Sequence, residues 1–198
     1  MGNSSKPKPT KIARRKSAPG ARAVGRIRKT GGAASAVQPG FSQAIKDLVA
    51  WLDTVGQPYS VIGGMAVIAH GQARTTQDID LAWVPTRPTA ATELLAAARA
   101  YGFAPRIKNA AAFAEQNLVL LVIHQPTGIP IDISFAMQEF ELRAARNAKR
   151  RKLFGVAIPV VGLSDLIIYK MIAARPQDVA DVEMLLTSND IIDPKAIR

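Results

Sequence analysis

Two glycines and three aspartates carry the chemistry this sequence can do. After Gly63 and Gly64, thirteen residues intervene before Asp78-Ile79-Asp80-Leu81, and a further aspartate sits in Ile131-Asp132-Ile133-Ser134-Phe135. Alternate side chains of a strand share a face, so Asp78 and Asp80 point one way and Ile79 and Leu81 the other. Two carboxylates about 7 Å apart along one strand repel unless a positive charge lies between them. A hard cation with oxygen ligands meets that need. Asp132 repeats the pattern, facing out while its apolar neighbours face a core. If the two strands pair, three carboxylates converge. Two divalent ions across such a triad would bind the triphosphate of a nucleotide and lower the pKa of an attacking hydroxyl. They would also neutralise charge in transfer and stabilise the departing pyrophosphate. Asp132, on the catalytic ion alone, could take the proton from the hydroxyl. Gly63-Gly64 lies between a strand and a helix, where backbone N–H groups can hold phosphates. Singly, a Gly-Gly pair is usually a tight turn and a D-x-D strand usually a solvated face; order and spacing together carry the reading.

The elements that must position these residues follow from periodicity. Ser42 can cap a helix with Ile45, Leu48, Val49 and Leu52 on one face, ending near Gly56. Tyr59–Ile62 reads as a strand, followed by Gly63-Gly64 and a short helix to His70-Gly71. Asp78–Val84 reads as a strand, and Pro88–Tyr101 as a helix ended by Gly102. Leu118–Ile123 and Ile129–Phe135 read as strands joined by a turn at Gln125-Pro126-Thr127-Gly128. Gln138–Lys152 reads as a basic-ended helix and Val156–Val161 as a strand. Ser164 caps a helix to Ala174, and Pro176 opens another to Leu186. This is a mixed α/β (α+β) domain, a mixed sheet packed with helices.

Composition narrows the chemistry. There are no cysteines, which excludes disulfides, thiolate metal sites and cysteine nucleophiles, and only two histidines, His70 and His124. Any metal must be held mainly by carboxylates, which favours magnesium or manganese. No apolar run approaches the roughly 18 residues of a membrane span, so a soluble protein is expected. The net charge of +11 is uneven: residues 1–40 hold ten basic side chains and no acidic one, while the rest is nearly neutral. Residues 1–40 also lack leucine and aromatics and are expected to be a disordered basic tail, with residues 41–198 the folded domain. The tail reads as a phosphate-seeking arm, or else as a solubilising extension or an over-long start of the reading frame; without aromatics it cannot stack bases.

Gly63-Gly64-x-Ala66-Val67, His70-Gly71, Arg74-x-Thr76 and Asp78-Ile79-Asp80-Leu81 resemble the core of AbiEii-type nucleotidyltransferases, members of the polymerase-β-like superfamily that include toxins of bacterial toxin–antitoxin systems. The likeness continues at Asp132 and at Asp165-Leu166, Lys170 and Arg175-Pro176-Gln177-Asp178-x-x-Asp181, covering roughly residues 55–190. It implies the polymerase-β-like fold and transfer of a nucleoside monophosphate from a nucleoside triphosphate, with two Mg2+ (or Mn2+) ions. Gly63 and Gly64 then match the phosphate loop, and Asp78, Asp80 and Asp132 the metal ligands. Lys170 and Asp178 match the later Lys and Asp motifs. An RNA acceptor, with tRNA suiting the basic surface, and a cognate antitoxin are the implied partners, with no membrane, and the implied location is the cytoplasm. Many relatives carry Gly-Ser where this chain has Gly63-Gly64, so a serine hydroxyl contact to phosphate is missing. Small-molecule nucleotidyltransferases of the aminoglycoside or lincosamide resistance kind share the pattern but would want an acidic acceptor pocket. A non-catalytic nucleotide-binding module is the third reading, against which the intact aspartates stand.

Other residues have two readings each. Lys170 lies on the apolar stripe Leu163, Leu166, Ile167, Met171, so it meets phosphate or snorkels. Asp178 and Asp181, three apart on one helix, either orient Lys170 or contact the nucleotide, or simply complement the helix dipole. Arg74 contacts nucleotide or acceptor, or pairs with a neighbouring carboxylate. His70 reads as a structural partner at a helix end, and His124 as exposed beside a turn. The run Arg143, Arg146, Lys149, Arg150, Arg151, Lys152 reads as a solvated helix face, or with the tail as an RNA-binding surface.

Overall fold

A computed structural model describes residues 40–85 and 90–188. The expected basic tail, apart from Gly40, and the expected helix start at Pro88 lie outside the described residues, as does the domain beyond Ser188.

The first helix, α1 (Phe41–Val55), buries Phe41, Ala44, Ile45, Leu48, Trp51 and Leu52, one face at three- and four-residue spacing. Gly40 and not Ser42 stands at its N-cap, because the Gly40 carbonyl already accepts from the Ala44 amide at 2.9 Å. Next come β1 (Tyr59–Val61), the short α2 (Gly63–Ala69) and β2 (Ile79–Trp83). Helix α3 (Ala90–Ala98) tightens into a final turn that Gly102 ends at φ 81°. Residues 103–117, where periodicity shows no element, hold β3 (Phe103–Pro105) and α4 (Ala110–Asn117). The hairpin partners β4 (Val119–His124) and β5 (Ile129–Phe135) follow as expected.

The expected long helix from Gln138 to Lys152 is two elements. Helix α5 (Glu139–Arg146) is closed in front by a capping box between Gln138 and Glu141, and it stops at Asn147. Residues Lys149–Leu153 form strand β6, paired antiparallel with β7 (Val156–Val160). The link is Phe154-Gly155, both at positive φ (46° and 90°), the backbone a two-residue hairpin needs. The first four residues of β6 are all exposed cations, so no alternation marks it as a strand. Helices α6 (Leu163–Ala173) and α7 (Pro176–Ser188) complete the described domain. Gly162, not Ser164, caps α6; its carbonyl accepts from Leu166.

The seven strands form one mixed sheet in the order β3-β4-β5-β2-β1-β7-β6. Parallel pairing joins β2 to β5 and β1 to β7, and the other neighbours are antiparallel. Burial alternates along β4 and β5, and the inward residues Leu120, Val122, Ile129, Ile131 and Ile133 join Ile79, Leu81 and the buried face of α1 in one core. His124, expected to be exposed, belongs to that same set. It shares parity with Leu120 and Val122, is fully buried, and bonds Thr127 Oγ1 at 2.7 Å and Asp47 Oδ2 at 3.1 Å. The turn folds Thr127 back to satisfy a ring that the strand turns inward.

Candidate active site

The parallel pairing of β2 and β5 sets Asp80 directly opposite Asp132. Asp78 stands one residue before β2. Inward neighbours hold this register: Ile79 and Leu81 pair with Ile131 and Ile133, all fully buried, so a slip of one residue would turn the whole set outward. A cavity of about 390 Å3 opens over the three aspartates and is also lined by Gly63, Gly64, Arg74, Thr76, Lys170 and Arg175. Two larger hollows, of about 530 and 520 Å3, gather at most one carboxylate each, so the chemistry lies in the smaller one.

Both glycines are required where they stand. Gly63 sits at φ 60°, and a Cβ there would overlap the Asp80 carboxylate. The Ile62 amide donates to the Asp80 carbonyl at 2.9 Å and ties the loop to the strand. A Cβ on Gly64 would overlap the Arg74 guanidinium and crowd Thr76 Oγ1. The space that a side chain at position 64 would need is thus taken by an arginine.

Lys170 neither snorkels nor stands free. It is 4% exposed, and its Nζ donates to Asp178 Oδ1 and to Asp181 Oδ2, both at 2.8 Å. Arg175 Nε bonds the other oxygen of Asp178 at 2.7 Å, and Arg74 Nε the other oxygen of Asp181 at 2.9 Å. The chain of alternating charge Arg175, Asp178, Lys170, Asp181, Arg74 joins α6 and α7 to the segment that crosses Gly64. Of the two readings of Arg74, pairing with a carboxylate is observed, and the same residue lines the cavity. Asp178 and Asp181, each 2% exposed, orient Lys170 and are more than helix-start acids. Burial pushes the Asp178 carboxyl up, but the bonds from Lys170 and Arg175 outweigh it and hold it below its ordinary value. His70 is structural, its Nε2 2.9 Å from the Val161 carbonyl oxygen, and burial lowers its pKa.

Two further residues hold the aspartates, and only one is foreshadowed by sequence. Thr76 Oγ1 donates to Asp78 Oδ1 at 2.9 Å, as its place two residues before the strand allows. Arg106 Nη2 lies 2.6 Å from Asp132 Oδ1. Arg106 has no local signal, because it reaches Asp132 only through the pairing of three strands.

The carboxylates behave as a set of crowded like charges. Burial first, then Asp78 and Asp132, push the Asp80 carboxyl up to about 6, while Lys170 and Arg175 partly offset them. Burial also raises Asp132, against the guanidinium of Arg106. Oxygen donors crowded until one of them resists ionisation fit a hard divalent ion. Among the described residues, however, no three acidic or imidazole groups are already gathered at ligand spacing. Asp132 is engaged by Arg106, and ligation through its bonded oxygen requires that pair to open.

The profile of the family described as Nucleotidyl transferase AbiEii toxin, Type IV TA system, matches residues 46–198. No curated protein sequence matches the chain. Among solved structures, the antibiotic-resistance factor ANT(2'')-Ia is similar at 17% identity with a TM-score of 0.56, over 77% of this chain and 84% of that one. An antigenic nucleotidyltransferase-like protein from Paracoccidioides brasiliensis is similar at 17% identity and TM-score 0.53, over 80% and 81%. A nucleotidyltransferase candidate from Thermotoga maritima follows at 13% identity and TM-score 0.51, over 77% and 96%. At such identities the likeness shows a shared fold, the nucleotidyltransferase fold expected from the sequence. The profile match adds the family itself, since it spans the glycine pair, the aspartate strands and the α6–α7 pair: the chain belongs to the AbiEii family of nucleotidyltransferase toxins.

Proposed function

We propose that this protein transfers a nucleoside monophosphate from a nucleoside triphosphate to a hydroxyl of an RNA acceptor, with tRNA the leading candidate, using Mg2+ or Mn2+ held by Asp78, Asp80 and Asp132. The observation that carries the reading is the face-to-face register of Asp80 and Asp132 beside a glycine loop that touches Asp80. Two bound divalent ions would supply charge neutralisation of the triphosphate and a lowered pKa at the attacking hydroxyl. The amides of Gly63 and Gly64 bind phosphate oxygens. Asp132, at the cavity's edge, accepts the proton from the attacking hydroxyl. Lys170 holds Asp178 and Asp181, and through them Arg175 and Arg74, at the cavity wall, where the two guanidinium groups meet the triphosphate. Membership of a Type IV toxin–antitoxin family supports a cognate antitoxin partner in the cell.

The test incubates the protein with magnesium, each α-labelled nucleoside triphosphate and total RNA. Labelled RNA is expected, and it should vanish with EDTA and in the soluble Asp78→Ala/Asp80→Ala variant. Label on an added aminoglycoside or lincosamide but not on RNA would assign the small-molecule reading. Magnesium-dependent nucleotide binding with no transfer to any acceptor would assign a regulatory module.

A further inference from the structure

The sheet puts one cation in line with the aspartates. Strand β3 pairs with β4 through Pro105 opposite Val122, and the ladder continues one residue further, with the Arg106 amide donating to the Leu121 carbonyl at 3.0 Å. Leu121 is opposite Asp132, and Asp132 is opposite Asp80. Arg106, Leu121, Asp132 and Asp80 therefore form one cross-sheet row, spanning about 14 Å of backbone. The glycine loop closes over the Asp80 end, so Arg106 marks the opposite side of the row from the phosphate loop. Both Asp132 and Arg106 are open to solvent there, so on the reading above an acceptor reaches Asp132 from that side.

The Arg106–Asp132 bond is short and charge-assisted, yet it is exchangeable. The two side chains are 28% and 33% exposed, a setting in which ion pairs contribute little net stability. The main-chain ladder already fixes β3 on β4, so the side-chain pair is free to serve another purpose. It sets a positive charge against Asp132, the carboxylate assigned above to the attacking hydroxyl.

We propose that Arg106 is a charge lock on Asp132: it holds that carboxylate in the metal-free protein, yields it to an arriving divalent ion, and carries its guanidinium to a phosphate of the acceptor. The inference rests on the metal-site reading above. It makes metal loading and acceptor binding mutually reinforcing, because the acceptor phosphate removes the competitor for Asp132 and the metal frees the acceptor's partner. An anionic acceptor operates this lock, whereas a cationic small molecule does not.

The test titrates Mn2+ alone into wild type, Arg106→Gln, Arg106→Lys and Asp80→Asn, following free Mn2+ by electron paramagnetic resonance. It is repeated with a short single-stranded RNA ending in a 3′-hydroxyl. Arg106→Gln is expected to bind Mn2+ about two- to fivefold more tightly, the scale of a partly exposed ion pair; Arg106→Lys stays closer to wild type. RNA should tighten Mn2+ binding to wild type and leave Arg106→Gln unchanged. Mn2+ binding that needs Asp80 but is no tighter in Arg106→Gln overturns the lock while the metal site stands. An RNA effect that persists undiminished in Arg106→Gln overturns it as well. No Mn2+ binding to wild type, or equal binding to Asp80→Asn, overturns the metal reading and the lock with it.

Discussion

Burial and the neighbouring carboxylates give Asp80 a folded-state pKa of about 6 against an ordinary value of 3.8. Folding thus favours its protonated form. The stability this group contributes is fully present below pH 3.8 and is lost as pH rises through about 6. Asp178, held low, works in the opposite sense, so the comparison must isolate Asp80. Metal-free Asp80→Asn should match wild type at pH 4 and exceed it at pH 7 by about 1–3 kcal/mol, with transfer abolished. Calorimetric melting of the two proteins from pH 4 to 7 checks this, and parallel curves would remove Asp80 from the set of strained groups. Lys170 makes the reverse case. Replacing it by Met leaves Asp178 and Asp181 buried beside each other with one cation apiece, and should cost about 3–5 kcal/mol. Urea unfolding measures the loss; a Met variant as stable as wild type would mean the lysine contributes only its methylene stem. At this scale the sequence was legible where a residue type was out of place on its stripe, as Lys170 is. It was also legible where alternation put carboxylates on one face. His124 is buried against expectation because its parity with Leu120 and Val122, and not its closeness to a turn, sets its direction. Arg106 was invisible, since no spacing along the chain reports a bond made across two strand pairings.

Between elements, the contact of Arg74 with Gly64 couples the glycine loop to α7. A serine at position 64 would overlap the end of the Arg74 guanidinium and displace the group whose Nε bonds Asp181. Gly64→Ser should cost about 1–2 kcal/mol, and much less when Arg74→Ala has already removed the obstacle, a non-additivity typical of groups in contact. Stability measurements on the two single variants and the double variant close the cycle, and strict additivity would dissolve the coupling. Most element types were legible from hydrophobic period. The exceptions are β3 and α4, which show no period, and β6, an edge strand whose first four residues are exposed cations. Such residues are good helix formers, and charge on an edge strand is what keeps it from pairing with other chains. The feature that protects the strand also hides it. The signal that could have found it was Phe154-Gly155, a hairpin turn after a run with no apolar face.

For the molecule as a whole, charge and fold are separable. Ten of the basic side chains fall in residues 1–40, and the remainder is nearly neutral. Removing residues 1–39 should leave the melting temperature almost unchanged while weakening RNA binding and flattening its dependence on salt; a salt slope identical to that of the full chain would make those charges irrelevant to binding. No described helix is long and apolar enough to cross a membrane. The fold class was legible because strand and helix signals alternate, whereas the order of seven strands was not, since pairings between distant segments leave no mark on local pattern. The buried ion chain has a further consequence, for the time at which activity arises. Gly64, Asp78 and Asp80 leave the ribosome early, but Arg74 cannot be fixed until its partner Asp181, 107 residues later, has been synthesised. Until then the glycine loop lacks the wall that Arg74 forms, although Asp132 already has Arg106. A nascent copy therefore carries Asp78, Asp80 and Asp132 before the wall of their cleft is assembled, so the site is completed only when α7 has packed against α6.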